Sequence, residues 1–425
     1  MSACHYTSSE LHKLDSKHLR LNQAQWEIVK ELGINRKKRT RRGCRAGRRK
    51  IPTFVNMATT TEANGGNQII ADVKDYYGKV LKSSDDLKTP VCCTRPLNMS
   101  KNVRDALAQI HEEVQNRYYG CGLCIPTCLE GAKVLDLGSG AGRDCYLLSK
   151  LVGENGHVTG IDMTDEQLNV ARKYKDFHSQ LFGHKSSNVE FLFGYIEKLT
   201  EAGIKENFFD IIVSNCVVNL SPDKKTVLQE AFRALKEGGE LYFSDVYADR
   251  PVSEDLRQNK VLWGECLSGA LTWTDLVNFA KEVGFSPPRL VSAAPIDITN
   301  PEIVKLVGDM KFISVTCRLF KLPANKEPSG EVIYEGTVTD HPDSLNMDIS
   351  STFKANCPSY VDSTMATILK CSRYADDFTF NTGGPSEAKK ACQPQKLDCT
   401  MDPFVYLETK PVASGCGPKS SGKCC

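Results

Sequence analysis

Short apolar runs alternate with amphipathic stretches from about residue 68 to residue 322. The apolar runs predict strands, and the stretches between them, such as 165–174 and 223–235, predict helices. Gly238 and Gly239 follow the second of these helices and predict where it stops. The predicted strands are 134–137, 158–163, 189–194, 210–215, 241–245 and 312–320. Strands that alternate with helices predict an α/β fold with a doubly wound parallel sheet.

The N-terminal region differs in composition from this α/β region. Residues 1–56 carry a charge of +10, and ten of the fifteen residues from 36 to 50 are basic. Such a block repels itself and stays solvated unless an acidic partner neutralises it. We therefore predict a disordered basic extension over 1–66, with a nuclear-import or nucleic-acid patch as the alternative. Met57 resembles an ordinary start of a cytosolic protein, and we hypothesise that the native chain begins there.

The remaining boundaries follow from changes in patterning. We assign 67–325 to the α/β domain. Residues 326–410 are polar and rich in turns, with short strand-like runs such as 331–334, and predict a small α+β domain. Residues 411–425 are rich in Gly, Ser and Cys, which predicts a flexible tail.

Charge and cysteine content restrict the function. The net charge is +2, so the chain after residue 56 carries −8, which argues against a main surface that binds nucleic acid. The sequence has no run of about 18 apolar residues, so it predicts no membrane span, and no secretory leader is visible. Eighteen cysteines in such a chain predict reduced thiols in the cytoplasm, available for a soft metal or metalloid, for redox chemistry or for core packing.

A glycine-rich motif follows the first predicted strand, with Gly138, Gly140 and Gly142 between Leu137 and Arg143. Glycines allow the backbone to turn tightly and to approach a ligand closely. The third glycine comes two residues after the second, which departs from the dinucleotide-binding spacing. Asp136, just before the loop, would repel a pyrophosphate but suits a cationic amino group.

This spacing resembles that of the class I S-adenosylmethionine-dependent methyltransferases, whose core is a Rossmann-like sheet of seven strands. The resemblance implies that the loop holds the methionine part of the cofactor. It also implies that Asp162, which ends the second strand, accepts hydrogen bonds from both ribose hydroxyls. Ile196 and Glu197, after the third strand, would then flank the adenine.

Three cysteines stand in distinctive motifs: Arg-Tyr-Tyr-Gly-Cys121-Gly-Leu, Val-Ser-Asn-Cys216-Val and Leu-Trp-Gly-Glu-Cys266-Leu. With Asp-Leu-Gly-Ser-Gly and Gly-Ile-Asp-Met-Thr, they resemble the arsenite methyltransferases from about residue 72 to residue 322. The resemblance implies that Cys216 and Cys266 are persistent arsenic ligands and that Cys121 is a third ligand. Cys92, or the adjacent Cys93, would be the fourth cysteine. The family positions near the cofactor are Tyr119, Gly138, Asp162, Met163, Gln167, Ile196, Glu197 and Asn215.

Thiolates are the soft ligands that suit trivalent arsenic. Three thiolates leave a lone pair on arsenic, which can attack the sulfonium methyl of S-adenosylmethionine without a general base. The site must then align the reacting atoms at about 3–3.5 Å. Cys92 and Cys121 are the candidates for the disulfide that returns arsenic to its trivalent state, with thioredoxin or glutathione as reductant. We expect mono- and dimethylated products, no resident metal, no membrane partner and a monomer.

Several alternatives stay open at this point. Cys145 and Cys317 are interpreted as core residues, because an isolated buried cysteine is usually a packing residue. Cys121, Cys124 and Cys128 form a C-x-x-C-x-x-x-C pattern, but a zinc site usually needs a fourth ligand. The competing functions are another small-molecule methyltransferase, a thiol-based metalloid-binding protein and a nucleic-acid methyltransferase.

Overall fold

A seven-stranded sheet organises the middle of the chain in the computed structural model, which describes residues 58–81, 86–89, 99–120, 122–381 and 398–410. Residues 1–57 of the predicted disordered extension 1–66 and the tail after residue 410 lie outside the described residues. Residues 58–66 begin a helix, so the prediction of disorder was wrong there. The strands are β1 (Lys133–Leu137), β2 (His157–Asp162), β3 (Val189–Phe193), β4 (Phe209–Asn215), β5 (Leu235–Ala248), β6 (Arg289–Pro295) and β7 (Phe312–Phe320). Their order in the sheet is β3-β2-β1-β4-β5-β7-β6.

Helices cover both faces of this sheet. They are α1 (Ala58–Asp75), α2 (Lys101–Ala108), α3 (Glu112–Gln115), α4 (Arg143–Val152), α5 (Asp165–Lys173), α6 (Lys175–Phe182), α7 (Lys224–Ala234), α8 (Glu254–Arg257), α9 (Lys260–Gly264), α10 (Trp273–Val283) and α11 (Pro301–Val307). Four of the five residues of β1 are buried, as expected for a strand covered on both sides. Among the described residues, no helix is long and apolar enough to span a membrane.

The seven-stranded fold was predicted correctly, but the prediction of a wholly parallel sheet was wrong. β7 runs antiparallel to both of its neighbours, β5 and β6. The chain leaves β6, forms α11 and returns between β6 and β5, and a connection of this kind allows antiparallel pairing. The apolar pattern of a buried strand is the same in either direction, so the sequence carried no sign of the reversal.

The predicted role of the glycine pair after α7 was also wrong. The helix ends at Ala234, and β5 begins at Leu235, before Gly238 and Gly239. Gly238 has a φ of 81°, and a Cβ atom there would lie 1.9 Å from the carbonyl oxygen of Cys371. The missing side chain thus permits close packing of β5 against the C-terminal region.

That C-terminal region has the expected α+β composition. Its elements are β8 (Gly330–Tyr334), β9 (Ser344–Asp348), β10 (Ser351–Lys354), β11 (Pro358–Val361), α12 (Ser363–Cys371), β12 (Phe378–Asn381) and α13 (Pro403–Thr409). Three strands form an antiparallel sheet in the order β11-β8-β12, and β9 pairs with β10. All described residues belong to one compact unit that begins at Ala58. The boundary proposed at residue 326 stays a prediction.

A buried ion cluster joins the two regions. Glu240 on β5 pairs with Arg318 on β7 and with Arg373, which follows α12. Burial alone would raise the pKa of Glu240, but the two guanidinium groups lower it by more, so the net shift is downward. Removing one member would leave an uncompensated buried charge, which makes this cluster a structural element rather than a surface ion pair.

Candidate active site

The glycine loop lies where β1 passes into α4. Gly138, Gly140 and Gly142 all have positive φ angles, of 72°, 52° and 86°. A Cβ atom at Gly138 would lie 2.5 Å from the side chain of Val217, and one at Gly142 would lie 2.7 Å from the ring of Phe191. The loop therefore needs glycine both for its backbone angles and for its close packing.

Asp162 is fixed beside this loop at the end of β2. Its carboxylate accepts the N–H of Gly140 at 2.9 Å and the N–H of Thr164 at 2.8 Å. Burial raises the pKa of Asp162, while these backbone hydrogen bonds act in the opposite direction. The side chain is thus held in one orientation at the carboxyl edge of the sheet, where open α/β sheets bind their ligands.

A cleft of about 990 Å³ opens above the loop. Ten of the eleven predicted cofactor-binding residues line it; Gly142 does not. The ten are Tyr119, Asp136, Gly138, Gly140, Asp162, Met163, Gln167, Ile196, Glu197 and Asn215. Ser139 Oγ and Gln167 Oε1 are buried without a hydrogen-bond partner in the structure. Unsatisfied buried polar atoms in a cleft indicate that a polar ligand occupies it.

Carboxylates outnumber guanidinium groups in the cleft, which Arg117 and Arg143 also line. Asp136, Asp144 and Asp162 all line it. Burial, followed by the nearby charge of Asp144, raises the pKa of Asp136 to about 7, whereas the thiol of Cys145 donates to this carboxyl group at 3.2 Å and lowers it. A ligand with a positively charged amino or sulfonium group would relieve the repulsion among these carboxylates. The residues therefore fit S-adenosylmethionine.

Other residues of the cleft were not predicted from the sequence. Arg143 and Asp144 directly follow the glycines and could have been found by extending that motif. Asn215 donates to the Asp144 carboxylate at 3.2 Å and to the Tyr118 hydroxyl at 2.6 Å. Some of the remaining lining residues lie within recognised motifs, such as Tyr118, Ser139 and Thr164, whereas others come from segments that gave no local signal. The full set is Ile70, Val73, Tyr77, Arg117, Tyr118, Gly120, Ser139, Ala141, Thr164, Gly194, Tyr195, Val217, Leu220 and Ser221.

Two of the predicted arsenic ligands are brought together next to this cleft. Cys216 directly follows β4 and lines the cleft, and Cys266 lies two residues after α9. Both are buried, with exposed fractions of 3% and 4%. Their sulfur atoms and a carboxylate oxygen of Asp245 all lie within 4.8 Å of one another. In this structure Cys216 is disulfide-bonded, whereas Cys266 carries a thiol.

The backbone at both cysteines is strained. Cys216 has a φ of 57° and Cys266 a φ of 60°. Residues with a Cβ atom rarely adopt this left-handed conformation, and those that do concentrate at functional sites. The same strain occurs at Cys128, so it supports a role for the pair without identifying it alone.

The other predicted cysteines divide into two groups. Cys92, Cys93 and Cys121 lie outside the described residues. Cys124 is buried with its thiol near the carbonyl oxygens of Ser214 and Tyr242, whereas the thiol of Cys128 contacts Asp377. Cys145 and Cys317 are buried, as predicted for core residues.

A buried lysine and a buried carboxylate lie behind the cysteine pair. Asp245 accepts the N–H groups of Asn219 and Val246, both at 2.9 Å, and burial raises its pKa to about 7. Burial lowers the pKa of Lys224 to about 8. The Lys224 ammonium donates to the carbonyl oxygen of Ser221 at 2.8 Å. Neither residue was predicted, although Asp245 ends the predicted strand 241–245, as Asp162 ends the second strand. Lys224 has no distinctive sequence context.

The residue before Cys266 is anchored by an N-terminal segment. The buried carboxylate of Glu265 accepts the Tyr76 hydroxyl at 2.7 Å, the Lys88 N–H at 2.9 Å and the Thr89 hydroxyl at 2.6 Å. Tyr77 donates to the carbonyl oxygen of Gly264 at 2.7 Å. The segment that leads towards Cys92 along the chain is thus attached beside Cys266.

This strand order, with a reversed seventh strand and a cleft lined by carboxylates over the glycine loop, places the chain among the class I S-adenosylmethionine-dependent methyltransferases. Residues 129–284 match a methyltransferase domain model, and residues 327–425 match the arsenite methyltransferase C-terminal domain. The chain belongs to the arsenite methyltransferase family.

Relatives of known function cover most of the chain. It is 51% identical to the arsenite methyltransferase of Homo sapiens over 84% of this chain and 96% of that protein. The arsenite methyltransferase of Aquipseudomonas alcaligenes is 48% identical over 72% of this chain and 89% of its own length. The crystal structure of an arsenic(III) S-adenosylmethionine methyltransferase from Chlamydomonas reinhardtii has a TM-score of 0.65 and 41% identity. The match covers 71% of this chain and 100% of the Chlamydomonas chain.

Proposed function

We propose that this enzyme transfers a methyl group from S-adenosylmethionine to trivalent arsenic bound by the thiolates of Cys216 and Cys266. The observation that carries the proposal is the approach of these two buried sulfurs beside the cleft, within 4.8 Å of each other. Cys121 is the third proposed ligand. Thiolates match the softness of trivalent arsenic, and a buried site protects the bound metalloid from water.

The cleft residues hold the cofactor in this proposal. S-adenosylmethionine supplies an electrophilic methyl group on a positively charged sulfur. The carboxylates of Asp136 and Asp162 interact with the cofactor's amino and ribose groups, respectively, and Ile196 and Glu197 contact the adenine. Ser139 and Gln167 offer the buried polar atoms that lack a partner in the structure. Because Asn215 and Cys216 are consecutive, β4 presents the cofactor wall and the arsenic ligand from one short segment.

Positioning is then the main catalytic contribution. The arsenic lone pair carries no proton, so methyl transfer needs no general base. The thiolates direct the lone pair towards the methyl group, and a collinear approach at about 3–3.5 Å lowers the entropic part of the barrier. The strained backbone at both cysteines fixes their sulfur positions before the substrate arrives.

Methyl transfer raises the oxidation state of arsenic by two, and two thiols restore it. Oxidation of Cys92 and Cys121 to a disulfide would return two electrons to the methylated arsenic. Thioredoxin or glutathione would then reduce this disulfide by thiol–disulfide exchange. Repeated cycles would give mono- and dimethylated arsenicals and serve arsenic detoxification in the cytoplasm. We further propose that the enzyme is a monomer.

The test combines turnover with binding. The full-length chain, arsenite and S-adenosylmethionine are incubated with a thioredoxin or a glutathione reducing system, and methylated arsenicals are separated and quantified. Cys216→Ser and Cys266→Ser should bind the cofactor but form no product. Cys357→Ser, at an exposed thiol, is the matched control and should behave as the parent.

Two outcomes would revise the proposal. Product formation by Cys216→Ser at the parent rate would remove that thiolate from the mechanism. Cofactor binding without any product from the parent would favour another small-molecule substrate. Cys92→Ser and Cys93→Ser, assayed for a second turnover, would identify which of these residues takes part in the reset.

A further inference from the structure

A carboxylate completes a three-donor set between the two proposed arsenic ligands. Cys216 Sγ, Cys266 Sγ and a carboxylate oxygen of Asp245 lie within 4.8 Å of one another, and all three residues are buried. Within the part of the chain that the structure describes, it is the one group of three His, Cys, Asp or Glu ligand atoms this close. Asp245 accepts backbone N–H groups, but arsenic binding by thiolates alone gives its carboxylate no role as a ligand.

Neighbouring strands of the sheet produce this arrangement. β4 and β5 are parallel, and Asn215 pairs in register with Ser244. The residues that follow them, Cys216 and Asp245, therefore emerge side by side at the same edge. Asp245 is held there by the N–H groups of Asn219 and Val246. The backbone of Val218 also hydrogen-bonds to this carboxylate, and a carboxylate with about four lone-pair sites can still bind a cation beside three such bonds.

The chemistry of the three donor atoms distinguishes between two kinds of ligand, trivalent arsenic and a divalent cation. Trivalent arsenic favours thiolates, and a hard carboxylate adds little to its binding. A divalent cation such as Zn²⁺ or Cd²⁺ accepts both sulfur and carboxylate oxygen, and four-coordination leaves one position for water or a third thiolate. We propose that the reduced enzyme binds a thiophilic divalent cation through Cys216, Asp245 and Cys266, and that this cation competes with arsenite. The competition rests on the proposed function, because the same two sulfur atoms would bind both arsenite and the cation.

The negative charge of the three donors favours the binding of a cation. Two thiolates and one carboxylate carry three negative charges, which a divalent cation reduces to one. The buried ammonium group of Lys224 interacts electrostatically with both Asp245 and Cys266. With the cation bound, the cluster and Lys224 are together neutral, which favours burial of the whole group.

Oxidation of Cys216 would remove one of the three donors. Cys216 is disulfide-bonded in this structure, and a disulfide sulfur is not a thiolate ligand. The cation site therefore forms only after reduction of this bond. Inhibition by the cation would fall on the reduced form of the enzyme, which is also the form that binds arsenite.

The experiment uses the full-length chain, reduced with a phosphine that does not compete for cadmium. Arsenite retained by the protein is measured by equilibrium dialysis while Cd²⁺ is added. Cd²⁺ should displace arsenite from the parent and from the matched control Cys357→Ser. Asp245→Asn should still bind arsenite, but displacement should need at least about ten times more Cd²⁺. Equal Cd²⁺ requirements in the parent and Asp245→Asn, or no displacement from the parent, would overturn the proposal.

Loss of cofactor binding would reveal that Asp245→Asn does not fold. A second measurement then tests the proposal without that variant. X-ray absorption of the parent with one equivalent of Cd²⁺ should give a mixed sulfur and oxygen shell, and Asp245→Cys should add one sulfur. Identical shells would overturn the proposal. Undiminished arsenite binding by Cys266→Ser would instead contradict the proposed function, so the two failures are distinguishable.

Discussion

The thiol of Cys266 lies 3.3 Å from the carbonyl oxygen of Cys216, so the two proposed arsenic ligands are in direct contact. Both have positive φ angles. Each cysteine thus occupies a backbone conformation that costs L-residues roughly 1–2 kcal/mol, and the surrounding fold must compensate for that cost.

This strain predicts an unusual order of stabilities at Cys266. Cys266→Gly should be at least as stable as Cys266→Ala, because glycine adopts φ near 60° without strain. Cys317 in β7 is the matched control, because it is buried without a positive φ. At this position Cys317→Gly should be less stable than Cys317→Ala by about 0.5–1 kcal/mol. Chemical unfolding of the four reduced variants measures both differences, and glycine falling below alanine at both positions would contradict the prediction.

Cofactor affinity should depend on pH through Asp136. Its folded-state pKa is raised to about 7, so the carboxyl group is charged above this pH and becomes neutral as the pH falls below it. Affinity for cationic S-adenosylmethionine should therefore fall as the pH decreases from about 8 to 6. Calorimetry of the parent and of Asp136→Asn tests this, and the variant should lose most of the dependence. An unchanged pH profile in Asp136→Asn would assign the titration to another group.

Alanine substitutions at Gly131, before β1, and at Gly138, in the glycine loop, separate the effect of backbone strain from that of steric clash. Gly138 and Gly131 have similar φ angles, 72° and 69°, but a Cβ atom at Gly131 meets nothing within 4 Å. Gly131→Ala should cost about 1–2 kcal/mol of stability and leave cofactor binding intact. Gly138→Ala should also displace Val217 and weaken cofactor binding strongly. Equal effects of the two variants on cofactor affinity would show that packing at Gly138 is not required.

Glu240 should contribute stability that depends on pH. The pKa of Glu240 is lowered from its ordinary value of 4.5, so its contribution is present above that value and is lost as the pH falls through the folded-state pKa. Glu240→Gln should lose about 3–5 kcal/mol near neutral pH, since Arg318 and Arg373 keep their buried charges. Urea unfolding at neutral and acidic pH should show a smaller difference between parent and variant in acid. Glu230→Gln, at a partly exposed pair with Arg233, is the control and should cost far less.

Sequence patterns predicted the cofactor cleft better than the substrate site. The apolar runs located the strand ends at Leu137, Asp162 and Asn215, whereas the resemblance to the family supplied most of the individual cleft residues. Asp245 ends a predicted strand and Lys224 lies in a predicted helix, but their position behind Cys266 depends on how these elements pack, which local patterns do not determine. The reversed direction of β7 was missed for the same reason: burial determines its composition, whereas the chain connection determines its direction.

Asn215 and Cys216 are joined by a single peptide bond, and both line the cofactor cleft. A change in the bonding of the Cys216 sulfur therefore takes place one peptide bond away from a residue of the cleft wall. Whatever energy the cofactor gains or loses when the Cys216 disulfide opens must appear, with equal magnitude, in the ease of reducing that disulfide.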